Sequence, residues 1–367
     1  MVINSVELRD FRNYTHEKFI FDENVNVIVG DNAQGKTNLL EALYYLTGAR
    51  SFRAKSDSEL LRFGGEAFEI NADIVSAERA QNLRIVYGGS HRKQIFANGV
   101  KLKTSSALAG RLTAVLFSPD DLYLIKEGAY ARRRLMDNCI SQLRPKYAAS
   151  LAEFRRVYDG KSRILRDRAE KPSLSDLLED YNIQLARMSA NLIYYRAYFA
   201  EQLGYYAGQI QKDFSGGKEE LTVKYKTVST VTDPKAKPSE IFEQIMEHQS
   251  SHYRAELDSC QCLTGAHKDD LEIYINGMAA KTFASQGQTR TAALSLKLAE
   301  REIHFTDRHE YPVLLLDDVL SELDAQRQNY ILNRIRSGQI FITCCEDRQI
   351  SDATGGKIIR IRKGAKI

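Results

Sequence analysis

The sequence predicts an α/β fold in which a long helical segment interrupts a head made of strands and helices, and three observations predict it. An apolar strand with Val25, Val27 and Val29 runs into a glycine-rich loop and then a helical stripe. Residues 122–212 are rich in Ala, Leu, Arg and Tyr at helical spacing, with few glycines. Apolar strands then return at 313–316 and 339–343.

Taken in order, residues 1–30 read as β-structure, with a Phe19-Ile20-Phe21 run before the strand that ends at Gly30. Leu39, Leu40, Leu43, Tyr44 and Leu46 mark a helix over 37–47 that Gly48 can end. Asn98-Gly99 and Asn276-Gly277 each sit between alternating apolar runs, the signal of a tight hairpin. Pro234 and Pro238 interrupt a Lys/Thr/Ser-rich stretch that reads as a long loop. A helix is expected over 286–304, with Ser285 at its N-cap.

Composition fits this plan. At 367 residues the chain has room for two or three domains, or one large domain with an insertion. Hydrophobic residues at 43% and charged residues at 27% are ordinary for a globular protein and argue against disorder. Charge enters at Glu7, Arg9 and Asp10, too early for a secretory signal, and no apolar run approaches a membrane span. Five cysteines, an odd number with irregular spacing, do not make a disulfide scaffold, so a cytoplasmic location is expected. His248, His252, Cys260 and Cys262 lie close together, but their spacing matches no familiar zinc pattern.

The formal charge of +4 (52 basic against 48 acidic residues) hides an asymmetry. Between Lys126 and Lys171 there are 13 basic and six acidic residues, a net +7 that leaves −3 for the remainder. Concentrated basic character is the footprint of phosphate-backbone binding. A solvated helical face, or arginines paired with acids, would give the same run; with the family resemblance drawn below, Arg132, Arg133, Arg134, Arg155, Arg156, Arg163 and Arg166 become the candidate DNA contacts. Without a base-reading module, such contacts would be mostly independent of sequence.

Gly30-Asp31-Asn32-Ala33-Gln34-Gly35-Lys36-Thr37 fits the phosphate-loop spacing G-x-x-x-x-G-K-[ST]. Its glycines let backbone N–H groups wrap phosphates, Lys36 reaches the outer phosphates, and Thr37 offers a hydroxyl to Mg²⁺. Val313-Leu314-Leu315-Leu316-Asp317-Asp318 is an apolar strand ending in two carboxylates, with Asp317 placed for Mg²⁺ and Asp318 for orienting the attacking water. Ser285-Gln286-Gly287-Gln288 lies 32 residues before Asp317, and Ser321-Glu322-Leu323-Asp324 follows the strand.

This ordered set resembles the heads of ATP-binding cassette ATPases, including the SMC-like ones. The resemblance implies that Ser285, Gln286, Gly287 and Gln288 form a signature that binds the ATP of the opposite subunit, with Ser321 and Asp324 in the adjoining D-loop. Over nearly its whole length the chain resembles the RecF family of bacterial recombination mediators. The shared blocks are Leu8-Arg9-Asp10-Phe11-Arg12-Asn13-Tyr14, the phosphate loop, Ser118-Pro119-Asp120-Asp121-Leu122, Arg132-Arg133-Arg134, Asn276-Gly277, residues 283–293 and residues 315–324. It departs at Ala266 and Lys268, where the family has Pro and Arg, and at Glu127, Ala129 and Leu135. No role is assigned to His267, Lys268, Asp269 or Asp270.

The resemblance implies an ATPase head of residues 1–117 and 305–367, with a helical lobe over 118–304 that includes the signature helix. It implies ATP and Mg²⁺ as cofactors and an ATP-dependent homodimer. It further implies ATP-dependent DNA binding in replication, recombination and repair after DNA damage, within the SOS response. At gapped or junction DNA the chain would assist RecA loading with RecR. Asp318 stands where transporter cassettes carry a longer glutamate, which suggests slow hydrolysis suited to a switch. A transporter subunit would place a histidine after the strand 339–343, where Thr343 or Cys344 stands instead. A structural SMC head would need longer coiled-coil arms than the middle segment can supply.

Overall fold

The computed structural model describes residues 1–77, 79–89, 92–334, 337–345 and 355–367. They form two compact units, Met1–Tyr123 with Lys297–Ile367 and Leu124–Leu296.

In chain order the first unit begins with β1 (Val2–Phe11), β2 (Tyr14–Ile20), β3 (Val25–Val29), α1 (Lys36–Tyr45), β4 (Ala67–Ser76), β5 (Arg79–Gly88), β6 (Arg92–Ala97), β7 (Val100–Leu102) and β8 (Ala114–Phe117). The second contains α2 (Ala129–Leu143), α3 (Pro145–Asp167), α4 (Leu178–Phe214), β9 (Leu221–Lys226), α5 (Pro238–Ser259), β10 (Asp270–Ile275), β11 (Met278–Ala279), α6 (Ala280–Phe283) and the start of α7 (Gln286–Arg308). The first unit resumes along α7 and adds β12 (Val313–Leu316), α8 (Ala325–Arg334), β13 (Ile340–Cys344), β14 (Lys357–Arg362) and β15 (Ala365–Lys366).

Two sheets build the first unit. One is antiparallel, in the order β2-β1-β4-β5-β6-β7; the other runs β15-β14-β3-β13-β12-β8 and is parallel from β14 to β8. The central strands of the parallel sheet are mostly apolar, with β12 and β13 buried throughout, as a sheet covered on both faces requires. The antiparallel strands alternate instead: Phe68, Ile70, Ala72 and Ile74 of β4 face inward. Leu39, Leu40, Leu43 and Tyr45 of α1 share one core cluster with these residues and with Leu315 and Phe341, so the helix after the phosphate loop is locked in place.

The second unit is the expected helical insertion, with the hairpin at Asn276-Gly277 enlarged into a small sheet. Beside its helices it holds a three-stranded antiparallel sheet, β11-β10-β9. The long loop read at Pro234 runs over 227–237, and Pro238 ends it as the first residue of the 22-residue α5. Proline is tolerated there because that N–H has no partner inside the helix. The divisions expected after residues 117 and 304 fall after Tyr123 and Leu296, the second of them inside the continuous helix α7. Both Asn-Gly pairs form hairpins, with φ of 50° and 76° at Asn98-Gly99 and 51° and 76° at Asn276-Gly277. Among the described residues, no helix is long and apolar enough to cross a membrane.

Candidate nucleotide site

The phosphate loop lies between the end of β3 and the start of α1, and its glycines answer to contacts. A Cβ on Gly30 would stand 2.4 Å from the Ile361 carbonyl oxygen. Gly35 has φ of 123°, and a Cβ there would lie 3.0 Å from the Tyr14 hydroxyl. Two turns brace the loop. Asn13 Nδ2 donates to the Gln34 carbonyl at 2.9 Å, and the Tyr14 hydroxyl to the Gly35 carbonyl at 2.8 Å. From the β14–β15 turn, the Gly364 N–H donates to the Gln34 carbonyl and the Lys363 N–H to Gln34 Oε1.

Asp31, Asn32, Ala33, Gly35, Lys36, Thr37, Asn38, Arg53 and Asp318 line a cleft of about 360 Å³. The Lys36 side chain is buried and bent over the loop. Its Nζ donates to the Gly30 carbonyl at 2.7 Å and lies 3.9 Å from Asp318 Oδ2. The decisive contact spans 280 residues of chain: Thr37 Oγ1 donates to Asp317 Oδ1 at 2.8 Å. A hydroxyl and a carboxylate at that spacing are a hard-oxygen donor pair, and they fit Mg²⁺. Burial pushes the Asp317 carboxyl above its ordinary range, while its bond to Thr37 works the other way.

Thr343 supports both carboxylates. Its Oγ1 accepts the Asp318 N–H at 2.8 Å and donates to Asp317 Oδ1 at 3.1 Å. Asp318 holds φ of 50°, so this bond helps fix a left-handed backbone that L-residues seldom adopt. Beside Lys36 stands Cys345, whose Sγ lies 3.5 Å from Lys36 Nζ and 3.3 Å from Asn32 Oδ1. Thr343 and Cys344 lie inside the strand and point their bulk into the protein.

The remaining sequence candidates have clear local positions. Ser321 Oγ donates to the Asp318 carbonyl at 2.6 Å, and Asp324 Oδ1 accepts the Arg327 N–H at 3.0 Å at the start of α8. In the second unit, Ser285 and Gln288 form a reciprocal capping box. The Gln288 N–H donates to Ser285 Oγ at 3.2 Å, and the Ser285 N–H to Gln288 Oε1 at 3.0 Å. Ser285 and Gln286 are exposed at that helix start, while Gly287 and Gln288 are half-buried.

The arginines divide. Arg132 is buried, binds Asp270 through two bonds of 2.7 and 2.9 Å, and is withdrawn from the DNA candidates by that pairing. Arg133 is half-buried and donates to the Asp269 carbonyl at 2.7 Å; burial lowers its pKa from the ordinary arginine value. Arg155 is half-exposed, 3.7 Å from Asp137. Arg134, Arg156, Arg163 and Arg166 are exposed, Arg156 pairing with Glu153.

The segment 267–270 proves to be a packing device. Asp269 is wholly buried and accepts bonds from Arg196 at 2.7 Å, Tyr225 at 2.5 Å and Thr227 at 2.7 Å. Burial drives the His267 imidazole down to about 4, so it is neutral at pH 7. His248 and His252 stack at 4.0 Å, and each Nδ1 is engaged, by Thr264 and by the His248 carbonyl.

Asn13, Tyr14, Asn38, Arg53 and Cys345 were not singled out as site residues from the sequence. Asn13 and Tyr14 belong to a block shared with the RecF family, but the chain by itself gives no sign that Arg53 reaches the cleft, where its Nη1 donates to Asn38 Oδ1 at 3.0 Å.

Comparison with known proteins agrees with this geometry. Residues 2–366 match the RecF/RecN/SMC N terminal domain family. The "DNA replication and repair protein RecF" of Acetivibrio thermocellus is 38% identical over 99% of this chain and 98% of its own length. The protein of that name from Bacillus subtilis is 36% identical over the whole of both chains. Among solved structures, the recombination mediator protein RecF-ATP in the RecFOR pathway superposes with a TM-score of 0.90 at 34% identity, covering 100% of this chain and 97% of that one. The Smc head domain with an extended coiled coil from Pyrococcus furiosus shares the fold, with a TM-score of 0.53 at 17% identity, over 100% of this chain and 95% of that one.

Proposed function

The chain belongs to the RecF family of DNA replication and repair proteins, and on that premise we propose that it is an ATP-switched DNA-binding protein acting at gapped or junction DNA. Two copies close around two nucleotides. Each contributes its phosphate loop to one ATP and its Ser285–Gln288 signature to the other. The closed form grips DNA and, with RecR, assists RecA loading; slow hydrolysis releases it. The observation that carries this reading is the Thr37–Asp317 contact, which assembles one half of a phosphate site from two distant segments. Every lining residue of that cleft belongs to the first unit, whereas the signature belongs to the second.

The groups are suited to the steps. Backbone N–H groups of the loop and Lys36 bind the phosphates, and Asp318 orients water for attack on the outermost one. Bound Mg²⁺, held by Thr37 and Asp317, would neutralise developing phosphate charge. The exposed Ser285 cap offers a hydroxyl and the N-terminus of a long helix, which favours an anion.

Molecular mass and DNA affinity, measured with and without ATP, test the reading for the wild type, Lys36→Arg and Ser285→Arg. ATP should raise both in the wild type. Lys36→Arg should lose the response through weakened nucleotide binding, and Ser285→Arg should lose it with ATP binding retained. If ATP changes neither mass nor affinity in the wild type, the switch is wrong.

A further inference from the structure

Phe63 holds its ring in water at 99% exposure. Single exposed apolar side chains are ordinary, but this one is rigidly presented. It is the second residue of the turn Arg62–Gly65, closed by the Gly65 N–H donating to the Arg62 carbonyl at 2.8 Å. Gly64, third in the turn, has φ of 78°, the pattern of a type II turn. The turn is tied to the bend between β1 and β2. Arg62 donates its N–H to the Asp10 carbonyl at 2.8 Å and its Nε to Asp10 Oδ1 at 2.6 Å, and the Arg12 N–H donates to the Leu60 carbonyl.

The loop that carries it is basic. Residues 49–65 carry Arg50, Arg53, Lys55 and Arg62 against Asp57 and Glu59, a net +2. Arg50, Arg53 and Lys55 are exposed, and none has a carboxylate within ion-pair distance among the described residues. An aromatic face on a loop with unpaired cations suits unstacked nucleic acid, in which a base takes the ring and phosphates take the cations. The support is shared with the nucleotide site: the same bend supplies Asn13 and Tyr14 to the phosphate loop, and Arg53 lines the cleft.

We infer that Phe63 is a stacking platform for an unpaired base of DNA, with the exposed Arg50 and Lys55 of the same loop binding backbone phosphates, while Arg53 stays with the nucleotide cleft. The inference rests on the DNA-binding reading above and narrows its substrate to DNA with unstacked bases.

Fluorescence anisotropy of the full chain with ATP, on a labelled single strand, a gapped duplex and a blunt duplex, tests it. Phe63→Ala should weaken the first two by about 5- to 150-fold, the range for losing one base–aromatic stack, and change the blunt duplex less than about twofold. Phe63→Trp should restore binding, and because the ring is almost fully solvated the alanine variant should melt at the wild-type temperature. Equal affinity of Phe63→Ala and wild type for all three DNAs overturns the inference and leaves the DNA reading standing; so does an equal loss on all three, or a fall in melting temperature. If the wild type binds none of the three, both readings fall together.

Discussion

Replacing Thr343 with valine tests how the two carboxylates are held. Valine keeps the shape and β-branching of threonine, so a buried site on β13 loses no volume and gains no cavity. What disappears is the hydroxyl between Asp318 N–H and Asp317 Oδ1. The amide is left without its partner, and the carboxylate loses a charge-assisted bond. Together these amount to about 2–5 kcal/mol, with the lower end applying if water reaches the half-exposed Asp318. The effect on catalysis is directional. The phosphates are held by the loop and Lys36, which Thr343 does not touch, whereas the Asp318 backbone loses its tether. ATP turnover should therefore fall at least tenfold with a smaller change in KM, and Thr343→Ser, which keeps the hydroxyl, should recover most of both stability and turnover. Urea unfolding and steady-state ATPase kinetics read the two effects. A valine variant within about 0.5 kcal/mol of wild type and with unaltered turnover would refute the assignment.

The other expectations concern separate parts of the chain. Gly364→Ala places a Cβ 2.3 Å from the Asn13 carbonyl oxygen at φ of 72°, so it should lower the melting temperature and raise the KM for ATP by disturbing the brace on Gln34. His267 titrates near 4 in the folded chain against an ordinary 6.5, because burial disfavours its charged form. The unfolded chain binds that proton first as pH falls, so stability should drop between about pH 6.5 and 4, by about 3 kcal/mol in full. Urea titrations of His267→Asn across that window should show a smaller drop than the wild type. Replacing Arg156, Arg163 and Arg166 with alanine should weaken DNA binding and lower the slope of log affinity against log salt by about 0.9 for each phosphate no longer neutralised; an unchanged slope excludes that face.

Much of the head was legible because its signals are local. Phosphate-loop spacing, a strand ending in two acids and an Asn-Gly turn are each fixed by a few consecutive residues and by backbone chemistry. The capping box at Ser285 is equally local, its two bonds lying within four residues. What escaped depends on tertiary placement. Arg53 reaches the cleft through a loop with no regular periodicity, and Cys345 meets Lys36 from 309 residues away. Helix α5 was hidden because Pro238 reads as a breaker until its position at the helix start is known. The triplet Arg132-Arg133-Arg134 looks uniform as text, yet helix geometry turns the first inward to Asp270 and the third out to solvent.

That last difference changes what the basic window means. Two of its cations are matched by carboxylates outside it, Arg132 by Asp270 and Lys161 by Glu256, both cations being buried. Buried pairs hold the fold and attract no polyanion; the window's buried Asp137 is likewise matched by Arg196 outside it, so the +7 read from the sequence falls to +6 (11 basic against five acidic residues) once these pairs are set aside. The loop 49–65, whose excess is only +2, keeps three exposed cations that meet no carboxylate among the described residues. Charge that binds DNA is charge that water can reach and no acid has claimed. On the DNA-binding reading proposed above, each unit would by that measure offer a surface to the phosphate backbone, and a salt slope reduced by substitutions in only one of them would measure one share of the grip.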